Sequence, residues 1–320
     1  MTDSADKAAS DIPETDATHL PLRPDRWRPP SVRALSTSHD DQAHVADDQG
    51  DVEVVQRKVR GLLNKLTMAK FDSLSDQIVQ LVDNSEKEKD GRTLILVIRL
   101  VLEKATDEAA WSEMYARLCQ KMMEQISPKV QDDGLRNAEG KPIAGGQLFR
   151  KYLLNRCQDD FEHGRSDVEA RVGAGQPKLY SDQYYAAQKV KRQGLGLIKF
   201  IGELFKLQML TERIMHQCVQ KLLANFHNPQ EEDLEGACVL LTVVGELLDT
   251  PRAQAHIGVY FERIELFSRK MQCPRVQCIS LNVIELRMRG WRERTQPCSA
   301  ARKPTAQEIR DWVSQSLTYD

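Results

Sequence analysis

Gly194-Leu195-Gly196 has two glycines of a phosphate-cradling turn, but it lacks the third glycine and the preceding strand of a dinucleotide loop, and no Gly-Lys-Ser/Thr follows any glycine cluster. It reads as a packing or helix-start feature. The seven histidines form no HxxxH or HExxH pair. Cys273 and Cys278 flank Pro274 on opposite sides of a helix start, so metal-ligand spacing is absent and no metal or other cofactor is expected. The carboxylates are interleaved with Lys and Arg, as on solvated helix faces, and no Ser/His/Asp grouping stands out. An enzyme therefore has no residue to rest on, and the chemistry left is electrostatic. Lys189-Val190-Lys191-Arg192 is the densest basic run. Lys189, Lys191 and Arg192 form either a solvated helix face or, beside Tyr184 and Tyr185, a phosphate-contacting edge for RNA. Trp27 stands between Arg26 and Arg28, ahead of Pro29 and Pro30. It is either a chance tryptophan or an indole displayed on a stiff extended segment, because Pro29 biases Arg28 away from the helical region.

The elements that position these residues are helices. In Gln193–Leu223, the residues Leu197, Ile198, Ile201, Leu204 and Phe205 make one apolar stripe, with Lys199, Glu203 and Lys206 on the other side. Thr211 is expected to cap the next helix, whose stripe is Ile214, Met215, Cys218, Val219, Leu222 and Leu223. So short a corner makes the pair antiparallel, with apolar surface left for another neighbour. The same reading gives Val52–Leu66 and Phe71–Val82 with Thr67 as the cap between them, then Arg92–Ala105, Trp111–Ile126 and Gln147–Glu162. A helix over about Tyr184–Met209 follows, and beyond the central pair come Glu231–Leu248, Ala253–Met271 and Arg275–Arg289. Leu63, Leu66 and Phe71, at the first corner, are core residues by spacing. Pro128–Gly146 and His163–Gln183 are expected to be mobile loops. The count is ten helices in five hairpins of about 40 residues. The expected fold is thus all-α, an α-solenoid of about five HEAT-type antiparallel hairpins over residues 51–291.

Residues 1–50 hold five Lys/Arg against ten Asp/Glu and few large apolar side chains, so they are expected to be a disordered acidic tail. Residues 292–320 read as a loose tail with a short helix, Ala306–Leu317. The overall net charge of −2 is too small to argue nucleic-acid binding by itself. No run approaches the roughly 20 apolar residues of a membrane helix, and the N-terminus is acidic where a signal peptide is basic, so a cytoplasmic protein with no membrane partner is expected. The seven cysteines, with no CxxC pair, are expected to be reduced core residues.

The stretch GLGLIKFIGELFKLQMLTERIMHQCVQKLL resembles the middle domain of eukaryotic translation initiation factor 4 gamma, in its fungal form. VRGLLNKLT, WSEMYARLCQKM, FRKYLLNRCQDDFE and VIELRMRGW agree with that family in the same order. The resemblance implies a scaffold of cytoplasmic translation initiation that binds and activates the DEAD-box RNA helicase and contacts mRNA. It implies that Arg26, Trp27 and Arg28 reach out to the helicase, and that Leu63, Leu66 and Phe71 form or support one helicase surface. The last hairpins, with Glu285 and Arg287, would meet its other lobe. The multisubunit initiation factor 3 is a further candidate partner. No Tyr has Leu five residues on, so this chain has no cap-binding-protein motif. Pro274–Asn282 departs from the family, which usually has a more basic and aromatic segment there. A related middle-domain protein of mRNA decay or nuclear cap binding is the rival reading. The Arg-Trp-x-Pro segment and the wording of the central stretch favour initiation.

Overall fold

The computed structural model describes residues 42–137, 140–172, 181–226 and 229–292. The Asp25–Pro30 segment, with Arg26, Trp27 and Arg28, and the expected helix Ala306–Leu317 lie outside the described residues. Contacts divide the chain into two units, Met1–Asp48 and Gln49–Asp320. The second holds nearly all the described structure. Ten α-helices are described: α1 Gln42–Lys65, α2 Phe71–Asp83, α3 Arg92–Asp107, α4 Ser112–Gln125, α5 Gly145–Val172, α6 Asp182–Lys206, α7 Glu212–Leu222, α8 Glu231–Leu248, α9 Gln254–Lys270 and α10 Pro274–Met288.

Side-chain contacts show how these helices stack. Along α6 and α8, Lys191 meets Glu232 and Gly202 approaches Val243; along α8 and α10, Cys238 meets Ser280 and Asp249 meets Arg287. Residue numbers rise together, so α6, α8 and α10 run parallel. His216 with Tyr260, and Arg263 with the Leu223 carbonyl, show the same for α7 and α9. The corner from Lys206 to Glu212 is short, so α6 and α7 run in opposite directions, and the two sets alternate as in a solenoid of antiparallel hairpins. The expected stripes are the core: Leu204 and Leu241 are fully buried, and Ile198, Ile201 and Leu222 nearly so. They form one cluster with Val59 and Leu63 at one end and Val276 and Val283 at the other.

Several expectations need correction. The first helix opens at Gln42, not at Asp51. Local helix formers such as Gln42, Ala43 and Ala46 continue the ladder upstream without needing a core. The expected mobile loop Pro128–Gly146 contains an antiparallel hairpin, β1 Gln131–Arg136 with β2 Pro142–Ala144. Gly140, at φ +78, turns it, and Tyr152 of α5 donates its hydroxyl to Asp132. The fifth helix continues to Val172, ten residues beyond Glu162, because no proline interrupts it. Thr67 and Thr211 occupy N-cap positions, but neither side chain makes a cap bond. The α6–α7 corner is instead closed by a Schellman turn: Gln208 sits at φ +60 while the Met209 and Gln208 amides donate to Leu204 and Phe205 at 3.0 and 2.9 Å. Cys119, Cys157 and Cys238 are buried as expected, whereas Cys218 and Cys273 are part-exposed and Cys278 is exposed.

Candidate partner and RNA interface

The α5–α6 hairpin overhangs one edge of the stack. Glu162 of α5 bridges to Lys221 at the end of α7 at 2.8 Å, and α5 then runs on for about 15 Å of helix. Lys191 of α6 bridges to Glu232 in the first turn of α8, also at 2.8 Å, so the nine α6 residues before it project past that edge. Ser181 starts this helix by accepting the Tyr184 amide.

Residues 183–202 contain no Asp or Glu. The projecting part of α6 carries Tyr184 and Tyr185 as an edge-to-face pair, centroids 5.7 Å apart. Tyr185, 57% exposed, shares a stripe with Lys189 and Arg192 at i, i+4 and i+7, and both cations are exposed. Lys191 behaves differently. Its side chain lies between α6 and α8, largely covered, and holds Glu232. Burial pushes the Glu232 carboxyl up, but the bond and charge of Lys191 outweigh that and hold it below the usual carboxylate range. The expected basic triad is thus two solvent-facing cations and one interhelical tie. A cavity of about 370 Å³ opens at the root of the overhang, lined by Leu102, Phe161 and Leu197. Its Arg156 is bound to Asp160 at 3.0 Å and its Lys191 to Glu232, so its charges are matched from within.

At the first corner, Leu63 and Leu66 are buried, and Phe71 is half-buried beneath two cations, Arg117 and Lys121, about 6 Å from its ring centroid. The leucines can support a surface there but not form it. Lys121 also holds Asp76 at 2.6 Å, so the corner is tied to α4. At the other end, Glu285 is bound by Arg289 one turn on. Arg287 is bound to Asp249 by two bonds of 3.0 and 3.4 Å, and its guanidinium lies 4.6 Å from the Phe261 centroid. Trp291 donates Nε1–H to the same Asp249 at 3.1 Å. Arg287 is therefore built into a latch that closes the last hairpin. The family resemblance implied a contact role for Arg287, and spacing gave no sign of its acceptor, Asp249, 38 positions away.

Among the described residues, no group of three metal-ligating side chains is gathered, and no helix is long and apolar enough to cross a membrane. Sequence reasoning missed the prominence of Trp111. It lies in a single 3₁₀ turn, Ala109–Trp111, and is 52% exposed. The large apolar residue at a helix start gave no signal of that exposure.

A family model described as the MIF4G domain matches residues 56–287. The chain is 44% identical over 293 residues to "Eukaryotic translation initiation factor 4 gamma" of Schizosaccharomyces pombe, covering 90% of this chain and 21% of that protein. It is 37% identical over 273 residues to "Eukaryotic initiation factor 4F subunit p130" of Saccharomyces cerevisiae, covering 82% and 29%. Against human "Eukaryotic translation initiation factor 4 gamma 3" the identity is 36% over 287 residues, covering 85% and 16%. The chain thus spans less than a third of these curated relatives. The solved MIF4G domain of a Trypanosoma cruzi translation initiation factor aligns at 18% identity with a TM-score of 0.48, covering 74% of this chain and 96% of that one.

Proposed function

Since the chain belongs to the MIF4G domain family, with the match running from within α1 to the last turn of α10, we propose that it is a binding scaffold of cytoplasmic translation initiation and performs no chemistry itself. Its partners are the DEAD-box RNA helicase of the initiation complex and mRNA, with the multisubunit initiation factor 3 as a third. The family match over the whole helical stack carries this reading.

The mechanism is geometric. A stack of packed hairpins is stiff, and two helicase lobes docked on it, one at the first hairpins and one at the last, spend less entropy when they close on ATP and RNA. Trp27, with Arg26 and Arg28 beside it, anchors the first lobe: a large indole in a polar segment gains most of its burial from a partner. Leu63 and Leu66 support a separate contact surface at the first corner from within, and Phe71 with its cations borders that surface. Of the C-terminal pair, both are in ion pairs, but Glu285 is the better contact residue because its side chain is 41% exposed against 24% for Arg287. RNA meets Tyr185, Lys189 and Arg192 on the overhang.

Calorimetry with the purified helicase, with and without nuclease treatment, tests the reading. Trp27→Ala is expected to weaken binding by about 30- to 1,000-fold without lowering the unfolding midpoint. An unchanged affinity would remove the anchor, and no binding by the parent chain would remove the helicase scaffold altogether.

A further inference from the structure

We propose that Trp111 and the overhanging face of α6 form a niche for single-stranded RNA, in which the Trp111 indole stacks on a base while Lys189 and Arg192 take its phosphates. The proposal rests on the reading that this domain contacts RNA, and it identifies the base-stacking residue.

Three observations underlie the proposal. First, α6 crosses the end of α3 at close range: Gln193 donates to Asp107 at 2.6 Å, and a Cβ on Gly196 would stand 3.0 Å from the Thr106 carbonyl carbon. Second, positions 185, 189, 192 and 196 lie on one stripe of an α-helix. Since Gly196 faces Thr106, the rest of that stripe rises above the α3–α4 corner, the turn that holds Trp111. Third, the indole is half open to solvent there, although a tryptophan in a packed repeat ordinarily joins the core. The corner is a floor with an exposed aromatic face, and the overhang is a wall with two exposed cations and an exposed tyrosine.

The electrostatics suit a polyanion. Among the described residues neither Lys189 nor Arg192 is in an ion pair, and of the corner carboxylates Asp107 and Glu108 are engaged while Glu113 is exposed. Asp107 accepts from Gln193, and Glu108 is bound by Lys104 at 2.8 Å and by the Tyr115 hydroxyl at 2.6 Å. An acidic peptide could use the two cations but offers an aromatic face only where it happens to carry an aromatic residue, whereas every nucleotide carries one. A nucleotide supplies both an anion and a π face, the pairing that single-strand binders use.

The test is anisotropy of a labelled oligouridine with the full chain over a series of salt concentrations. Trp111→Ala should weaken binding by about 5- to 150-fold with an unchanged salt slope, because it removes stacking but no charge. Trp111→Phe should stay within a few-fold of the parent. Lys189→Ala with Arg192→Ala should reduce the slope by up to about 1.4, at roughly 0.7 per phosphate on a single strand. If the parent binds RNA and Trp111→Ala binds equally well, the niche is wrong while RNA binding stands. If Trp111→Phe is as weak as Trp111→Ala, stacking is not what the indole supplies, and the niche is equally wrong. If the parent binds no oligouridine, the niche and the RNA part of the proposed function fall together. Loss of helicase affinity in Trp111→Ala at unchanged RNA affinity would reassign the corner to a protein contact and overturn the proposal.

Discussion

Gly245→Ala offers a sharp test of how the last repeat is closed. Ordinarily a glycine in a helix interior replaced by alanine gains about 0.5–1 kcal/mol from propensity and reduced unfolded-state freedom. At position 245 that gain meets an obstacle. A Cβ there would overlap the outer edge of the Trp291 indole and stand 2.8 Å from its Cε3. The indole cannot slide aside freely. Its Nε1–H is bonded to Asp249, its ring meets Phe261 edge-on at 6.1 Å between centroids, and its backbone is held at φ +64 in the left-handed region. Displacing it costs a hydrogen bond of about 1 kcal/mol, an aromatic pairing of about 0.5–1.5 kcal/mol and about 1–2 kcal/mol of half-buried apolar surface. Set against the propensity gain, Gly245→Ala should destabilise the domain by about 2–4 kcal/mol, lowering the unfolding midpoint by roughly 4–15 °C for a domain of this size. Gly258 on α9, where nothing lies within 4 Å of an added Cβ, provides the control of opposite sign: Gly258→Ala should stabilise by about 0.5–1 kcal/mol. In the double variant Gly245→Ala/Trp291→Ala the obstacle is gone, so its loss should be smaller than the sum of the single losses. Calorimetric or urea unfolding of the five proteins, the parent, the singles Gly245→Ala, Gly258→Ala and Trp291→Ala, and the double variant, decides the matter. A Gly245→Ala midpoint at or above the parent's would refute the wedge.

The Lys191–Glu232 tie predicts a pH signature: a carboxylate depressed on folding stabilises above its unfolded pKa of about 4.3, and that contribution is lost as pH falls through the lower folded value. Glu232→Gln should accordingly cost about 0.5–1 kcal/mol at pH 7 and progressively less below about pH 4, measured by urea unfolding; a gap independent of pH would deny the tie. Arg287→Ala should lower stability by about 1–3 kcal/mol, since it breaks a largely covered two-bond ion pair and uncovers Phe261. A variant that lost helicase binding with an unchanged unfolding midpoint would return Arg287 to the surface role. Ile201→Asp, at a site 5% exposed, should cost several kcal/mol by placing a charge in the core, and a near-parent midpoint in thermal unfolding would contradict the core assignment.

The sequence by itself determined the ten helices, their alternation and the residues of the core. Apolar spacing within a helix is local, and stripes such as Leu197-Ile198-Ile201-Leu204-Phe205 can be buried in only one way once each helix packs on its neighbours. Wording in the central stretch was enough to point to the family that the comparisons show. The sequence did not determine the partners of charged residues. Lys189, Lys191 and Arg192 look alike in the chain, yet Lys191 finds Glu232 some 41 positions away while its neighbours face solvent, because only the packing of α6 on α8 brings that carboxylate within reach. Arg287 and Asp249 repeat the lesson one hairpin further on. Tertiary structure likewise turned the polar stretch after Pro128 into a hairpin pinned by Tyr152, and it left Trp111 half exposed at a corner where spacing alone would bury it. The physical reason is the same throughout: helix formation and burial follow from near neighbours in sequence, whereas ion pairing and exposure depend on which surfaces the stack covers.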